Sequence, residues 1–290
     1  MIDLHMHTIN SDGTDTVEEI LDKCEKLKLE YISITDHDNC DSYEDMKKID
    51  IKKHFSGEII PGCEMTTTYK GRIIEILGYD IDTEKVNKWM HKFHTKENKK
   101  ERYVYSVEKS IENFAKLGIK INKEDLDKSC SYDRAFYRLL LKNKEENEKI
   151  LGKGMLDSLK NIFRRGFSNP LSPIFVNTEK YRPTPKQIVD LIHTAGGKAF
   201  LAHPYQYVFD DILQMITELR QEVELDGIEA FHSSFTIEEM LILQEYAKKN
   251  KLYISGGSDY HGLDKPYIKL KTGKNGNLHI SKNILEWYKK

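Results

Sequence analysis

Histidines and carboxylates occur in short groups along this 290-residue chain. His5 and His7 are separated by one residue, Thr-Asp-His-Asp occupies 35–38, and Asp259 and His261 follow a Gly-Gly-Ser segment. Imidazole and carboxylate without cysteine form a ligand set suited to Zn²⁺, Mn²⁺ or Fe²⁺, and several groups favour more than one ion. Clustered divalent ions polarise phosphoryl oxygens and lower the pKa of a bound water. The residue types therefore indicate metal-assisted chemistry on a phosphate ester.

Predicted strands position these groups. The segment 2–7 alternates apolar and polar residues, so His5 and His7 share one face of a strand. Helix starts are predicted at Thr16 and Thr184, and further strands are predicted at 31–35, 58–61, 73–78, 198–202, 227–231 and 252–255. Almost every histidine or carboxylate of the groups lies at or just past the carboxyl end of a strand. Parallel α/β folds build active sites at that edge.

The composition excludes several classes of protein and conceals a charge asymmetry. With 39% hydrophobic and 32% charged residues the chain is globular in composition, and no apolar run reaches the roughly 20 residues of a membrane helix. The first residues lack the pattern of a secretion signal, and the four cysteines form no dense framework, so we expect a cytoplasmic protein with reduced thiols. The net charge is −2, yet 85–182 holds 23 basic and 13 acidic residues, a net of +10. The remaining 22 basic and 34 acidic residues give −12.

The segment 85–182 also differs in pattern, because charged helical stretches dominate it and strand signals are sparse. On both sides of it strands alternate with helices, which is typical of a mainly parallel sheet. We therefore predict an α/β domain formed by 1–84 and 183–290, interrupted by an inserted helical, basic cap subdomain at 85–182.

The ordered motifs resemble the PHP (polymerase and histidinol phosphatase) family. They are His5-x-His7, Asp12-Gly13, Thr35-Asp36-His37, Gly62-x-Glu64, Ala202-His203-Pro204 and Ser258-Asp259-x-His261. The resemblance runs from residue 2 to the C-terminal segment and is strongest to a small bacterial branch that hydrolyses nucleoside 3′,5′-bisphosphates or the ends of short oligonucleotides. It implies a distorted (β/α)7 TIM-like barrel of the PHP type with two or three divalent ions (Mn²⁺, Fe²⁺ or Zn²⁺).

The same resemblance implies roles for individual residues. A first ion would take His5, His7, Glu64 and Asp259, a second would share Glu64 and take His203, and a third would take Asp12, His37 and His261. His232 would contact phosphate or protonate the leaving group, and Asp259 would also orient the attacking water. Glu75 stands where relatives have histidine, so its part in the second ion's site is open. Five histidines fall outside the pattern and are expected on the surface or on helix faces: His54, His91, His94, His193 and His279.

The predicted cap departs from the family in one further place. Relatives carry Arg-Pro-His there, whereas this chain has Arg134-Ala135-Phe136, with Arg138 close behind. Arg134 or Arg138 could supply a guanidinium to a substrate phosphate, and the alternative is that both are solvated helix charges. Lys99, Lys100 and Arg102 are expected to be ordinary surface charges.

The predicted function is that of a metal-dependent phosphoesterase, a hydrolase in which a metal-bound hydroxide attacks the phosphorus of a phosphate monoester or diester. Nucleoside 3′,5′-bisphosphates or short oligonucleotide ends are the expected substrates, and histidinol phosphate is the alternative. Two other classes remain open: a non-catalytic PHP module that supports a partner protein, and a nucleic-acid-binding protein acting through the basic segment. The sequence holds no motif that reads duplex nucleic acid, so the expected partner is a small phosphorylated molecule, with no membrane and an open oligomeric state.

Overall fold

The computed structural model describes residues 1–288 and is a mixed α/β structure. Its strands are β1 Ile2–Asp3, β2 Tyr31–Ile32, β3 Glu58–Ile59, β4 Gly62–Tyr69, β5 Arg72–Tyr79, β6 Lys198–Leu201, β7 Gly227–His232, β8 Tyr253–Gly257, β9 Ile268–Lys269 and β10 Gly273–Lys274. Its helices are α1 Val17–Lys26, α2 Asp41–Met46, α3 Ile51–His54, α4 Thr83–Phe93, α5 Lys96–Lys116, α6 Tyr132–Leu140, α7 Lys144–Leu151, α8 Leu159–Asn161, α9 Pro185–Thr194, α10 Ile212–Glu222 and α11 Ile237–Asn250.

Most strands pair with their neighbours in the chain. The larger sheet has the order β4-β5-β6-β7-β8, in which β6, β7 and β8 are parallel and β5 is antiparallel to β6. A second, parallel sheet has the order β1-β2-β3, and β9 and β10 form an antiparallel pair. The described strands thus form two sheets and a short ribbon. The single closed seven-stranded barrel that the family resemblance implied is not found among them.

Hydrogen bonds between backbone groups join the segment after β1 to the segment after β8. Asp259 N–H donates to the His5 carbonyl at 2.8 Å, and His7 N–H donates to the Tyr260 carbonyl at 2.9 Å. His37 and Glu64 form a parallel bridge next to them. The ends of strands that are distant in sequence therefore lie side by side.

Local sequence signals explain where several helices begin. Thr16, Thr184 and Thr236 each accept from a backbone N–H three residues later, and the Glu or Gln at that position bonds back to the cap. The helix starts predicted at Thr16 and Thr184 are thus present in the structure. Three strands were not predicted: β4, β9 and β10. Because Pro61-Gly62 has the composition of a turn, β4 was missed, and Glu64 lies inside it rather than just past a strand. Glycine is needed at 62 since a Cβ there would meet the Ser33 hydroxyl oxygen at 2.3 Å.

By their internal contacts the residues divide into two compact units. The first comprises Met1–Thr67, Ile74–Phe93 and Thr184–Lys290, and the second comprises Thr68–Ile73 and His94–Pro183. The core of the second unit combines aliphatic and aromatic side chains, with Phe114 stacked on Phe136 at 5.4 Å between ring centroids. The domain bounds inferred from the charge pattern, 1–84 with 183–290 and 85–182, stay a prediction.

Within residues 1–288 no helix is long and apolar enough to cross a bilayer.

Candidate metal centre

The candidate centre begins at the N-terminal strand. Ile2, Leu4 and Met6 are fully buried on one face of this segment and fill the core. Because side chains alternate along an extended chain, His5 and His7 point to the opposite face, and both are also fully buried. Buried imidazoles require partners, and these come from other strand ends.

Glu64 lies at the middle of the cluster. One of its carboxylate oxygens lies 3.2 Å from His5 Nε2, 3.4 Å from His7 Nε2 and 3.2 Å from His37 Nδ1. The other oxygen lies 2.8 Å from His203 Nε2. Burial alone would raise the pKa of Glu64, but the His5 and His37 imidazoles outweigh burial and hold it well below its usual value. A single ionised carboxylate thus faces four imidazoles, an arrangement suited to bridging two ions.

A second group surrounds Asp12. Its Oδ1 lies 3.2 Å from His261 Nε2, 3.7 Å from His7 Nδ1 and 3.8 Å from His37 Nε2. Burial lowers the pKa of His7 to about 4, and the neighbouring His261 adds to the effect, so the His7 imidazole is neutral at pH 7. A neutral imidazole is the form that binds metal.

Asp259 and Glu75 complete the cluster at its two sides. Asp259 Oδ1 lies 3.3 Å from His7 Nε2 and 3.4 Å from His261 Nδ1. Its Oδ2 lies 3.4 Å from His232 Nε2. On the other side, Glu75 Oε2 lies 3.6 Å from His203 Nε2, and both are buried. The carboxylate at position 75 therefore occupies a place from which it could bind an ion.

The donor atoms fit divalent cations. Four overlapping groups each place one ligand atom per residue within 4.8 Å of the others: His7, Asp12, His37 and His261; His5, His7 and Glu64; His5, Glu229 and His232; and Glu64, Glu75 and His203. Among residues 1–288, both ring nitrogens of His7 and the Nδ1 atoms of His37 and His203 are buried without a hydrogen bond. An unsatisfied buried polar group costs about 1–3 kcal/mol, which coordination to a metal removes. Nitrogen and oxygen donors without sulfur suit Mn²⁺, Fe²⁺ or Zn²⁺.

Three residues of the centre adopt strained backbone conformations. Asp38, His203 and Asp259 have φ values of 55°, 22° and 57°, in the left-handed region that residues other than glycine seldom occupy. Each follows a strand end or its extension. Such residues cost about 1–3 kcal/mol each and cluster at functional sites, because the turn directs the side chain or its neighbour into the site.

Sequence reasoning missed two residues of the centre. Glu229, in β7, is fully buried, and its Oε1 lies 2.8 Å from His5 Nδ1 while its Oε2 accepts from His203 N–H at 2.7 Å. Lys265 donates to Asp259 Oδ2 at 2.9 Å. A carboxylate inside the apolar segment GIEAF was a signal for Glu229, whereas nothing in the sequence pattern distinguished Lys265.

The other predicted residues lie elsewhere. His54, His91 and His193 pair with aspartates at 3.0, 3.2 and 2.8 Å, away from the cluster. Arg134 and Arg138 lie on α6 in the second unit, and Arg138 Nη1 bonds to Asp127 Oδ2 at 2.6 Å. The nine predicted metal ligands, in contrast, all lie within the first unit. Their assignment as ligands stays a prediction.

Residues 3–228 match the PHP domain family. The chain belongs to this family. Among curated PHP relatives, it is 26% identical to the 5′-3′ exoribonuclease Rnm of Escherichia coli K12, over 92% of this chain and 87% of that one. It is 24% identical to a 3′,5′-nucleoside bisphosphate phosphatase of Chromobacterium violaceum, over 90% and 87%. A solved Chromobacterium violaceum amidohydrolase with bound sulfate shares the fold, with a TM-score of 0.67 and 22% identity over 98% of this chain and 95% of that one.

This membership confirms the enzyme class predicted from the motifs. The protein is a metal-dependent PHP phosphoesterase, a hydrolase. The geometry of the centre agrees, because its imidazole and carboxylate groups are close enough to share ions.

Proposed function

We propose that this PHP phosphoesterase hydrolyses phosphate esters of nucleotides, namely nucleoside 3′,5′-bisphosphates or the ends of short oligonucleotides. The observation that carries the proposal is the cluster of buried imidazoles around Glu64, in which several ring nitrogens have no hydrogen bond among the described residues. Two relatives that match most of the chain are named for RNA and nucleoside bisphosphate substrates, which supports the nucleotide class. Two or three ions of Mn²⁺, Fe²⁺ or Zn²⁺ are proposed as cofactors.

The proposed ligands divide among three positions. His5, His7, Glu64 and Asp259 would hold the first ion; Glu64, His203 and Glu75 the second; and Asp12, His37 and His261 the third. When bound, such ions polarise a phosphoryl oxygen and lower the pKa of a water that then attacks phosphorus. Glu64 is the ligand that the first and second ions would share, since each of its two carboxylate oxygens faces an imidazole.

Two residues of the centre act on the substrate in this proposal: His232, which lies beside the proposed ligands, and Asp259, which is one of them. His232 Nε2 lies 3.4 Å from Asp259 Oδ2, and its Nδ1 lies 2.8 Å from the Ser234 hydroxyl, so the ring is held in one orientation. His232 would contact the phosphate or protonate the leaving oxygen, and Asp259 would orient the water. Arg134 or Arg138 would bind a further phosphate, and Arg138 would first have to leave Asp127.

Metal analysis tests the centre itself. Purified protein is expected to bind at least two divalent ions per chain, and His7→Ala to lose at least one of them together with turnover. His279→Ala is the matched control, because His279 is an exposed histidine outside the cluster. Metal content and turnover unchanged by His7→Ala would contradict the assignment.

A substrate panel in Mn²⁺ tests the nucleotide class. We expect 3′-phospho-AMP or a short oligoribonucleotide to be hydrolysed with kcat/KM at least tenfold above histidinol phosphate and a generic aryl phosphate. Preference for histidinol phosphate would favour the alternative substrate. Equal hydrolysis of all four would contradict the nucleotide assignment. A cytoplasmic location is also proposed, from the absence of a dense cysteine framework in the sequence.

A further inference from the structure

The second unit contains a cavity of about 390 Å³. One wall is a face of α5, where Lys99, Arg102, Tyr103 and Ser106 follow one another at helical spacing. The start of α6 forms another wall, and Phe163, Thr178 and Arg182 complete the lining. The volume falls within the roughly 300–1,000 Å³ typical of sites for small organic molecules.

The charges of the cavity favour an anion. Lys99, Arg102 and Arg182 line it against one carboxylate, that of Asp133. Among residues 1–288 neither Lys99 nor Arg102 forms an ion pair, whereas exposed lysines elsewhere in this unit pair with glutamates. Arg182 Nε donates to Thr178 Oγ1 at 3.2 Å, which fixes its position in the wall. Arginine in such a place presents a planar set of donors that matches phosphate.

The first turn of α6 adds further donors. Ser131 is the N-terminal cap residue of this nine-residue helix, and its side chain makes no capping hydrogen bond. Ser131, Tyr132 and Asp133 all line the cavity, so the positive end of the helix opens on it. Helix N-termini bind phosphate through backbone N–H groups.

A buried hydroxyl without a partner lies in the same wall. Ser106 is fully buried, and among the described residues its Oγ has no hydrogen bond. A hydroxyl in this state costs about 1–3 kcal/mol. The remaining lining is aromatic, from Tyr103, Tyr132 and Phe163, which suits a planar base.

We propose that this cavity, lined by Arg102, Arg182, Ser106 and the start of α6, binds a nucleoside monophosphate. The phosphate lies between the two guanidinium groups and the helix N-terminus, and the base lies against the aromatic side chains. The choice of a nucleotide rests on the proposed function, whereas the preference for an aromatic anion rests on the cavity alone. Lys99 and Arg102, expected from the sequence to be ordinary surface charges, become binding residues.

Calorimetry with AMP and EDTA-treated protein tests the proposal, because chelation removes any ion from the metal centre. Wild-type protein is expected to bind AMP at least tenfold more tightly than adenosine or inorganic phosphate. Arg102→Gln is expected to weaken AMP binding at least tenfold, equal to about 1.4 kcal/mol. Lys100→Gln is the matched control, since it removes one charge from an exposed position of the same helix that does not line the cavity. Its affinity should stay within twofold of wild type.

Four outcomes would overturn the proposal. They are absence of AMP binding, equal weakening by Lys100→Gln and Arg102→Gln, inorganic phosphate binding as tightly as AMP, and weakening by His7→Ala as large as that by Arg102→Gln. His7→Ala locates the ligand, because weakening of AMP binding by this variant as large as that by Arg102→Gln would place AMP at the metal centre instead. Hydrolysis of 3′-phospho-AMP by the metal-loaded enzyme is measured separately. If AMP does not bind to the cavity, the proposed function is not affected. If 3′-phospho-AMP is not hydrolysed, the measured binding of AMP is not affected.

Discussion

Glu229→Gln is expected to weaken metal binding while leaving the fold intact. In the structure one carboxylate oxygen faces His5 Nδ1 at 2.8 Å and the other accepts from His203 N–H at 2.7 Å. A carboxylate only accepts hydrogen bonds, so His5 Nδ1 carries a hydrogen, and Nε2 is the ring nitrogen that would bind a metal. In the glutamine variant the amide oxygen must accept from His203 N–H. The amide NH₂ then faces His5 Nδ1 and drives the hydrogen to Nε2.

The size of the effect follows from this change of tautomer. Loss of a partner that orients a metal-binding histidine costs about 10–100-fold in metal affinity or activity. That corresponds to about 1.4–2.7 kcal/mol. The unfolding free energy should change less, because glutamine has the same shape as glutamate and both buried donors can remain paired. Glu229→Ala, in contrast, would leave two buried polar groups unpaired and cost about 2–6 kcal/mol of stability.

Mn²⁺ titration calorimetry and urea denaturation measure the two quantities on the same preparations. Glu224→Gln is the matched control, since Glu224 is exposed three residues before β7. Wild-type metal affinity in Glu229→Gln would refute the argument that Glu229 sets the tautomer of His5. A large loss of stability with unchanged affinity would show that Glu229 is purely structural.

Further outcomes are expected from other positions. Lys265→Met should lower kcat about 10–100-fold, because the ammonium that holds Asp259 is lost. Lys265→Arg should keep most of the wild-type kcat. Tighter Mn²⁺ binding in Lys265→Met would instead show that the ammonium competes with metal. Thr184→Ala should lower the unfolding free energy in urea by about 1 kcal/mol, through loss of the capping box of α9, with Thr184→Ser near wild type. Chelation should lower the melting temperature of wild-type protein, Mn²⁺ should restore it, and an unchanged melting curve would argue against bound ions.

Short-range patterns predicted much of the structure. The alternation in 2–7 placed His5 and His7 on one face, and the threonine caps with Glu or Gln three residues later marked α1 and α9. These signals depend on neighbours within four residues, so the sequence carries them directly. The enzyme class followed in the same way, from several short motifs in a fixed order.

The missed features depend on contacts between distant segments. Lys265 reaches Asp259 only because the loop after β8 turns back, and Glu229 meets His5 across 224 residues of chain. The sequence did not predict β4, because Pro61-Gly62 has the composition of a turn. In the structure Gly62 serves instead to let the backbone pass close to the Ser33 hydroxyl. Arg102 resembled any other helix charge until the fold placed it in a cavity wall with Arg182.

The hydrogen bonds between the segment after β1 and the segment after β8 join residues that are synthesised at very different times. His5 and His7 leave the ribosome first, whereas Asp259 and His261 follow about 250 residues later. At about 5–20 residues per second, the early histidines wait tens of seconds for the other half of their ligand set. During this interval the two imidazoles form an exposed pair with affinity for any available soft or borderline metal. The complete set of proposed ligands therefore exists only after Asp259 and His261 have been added to the chain.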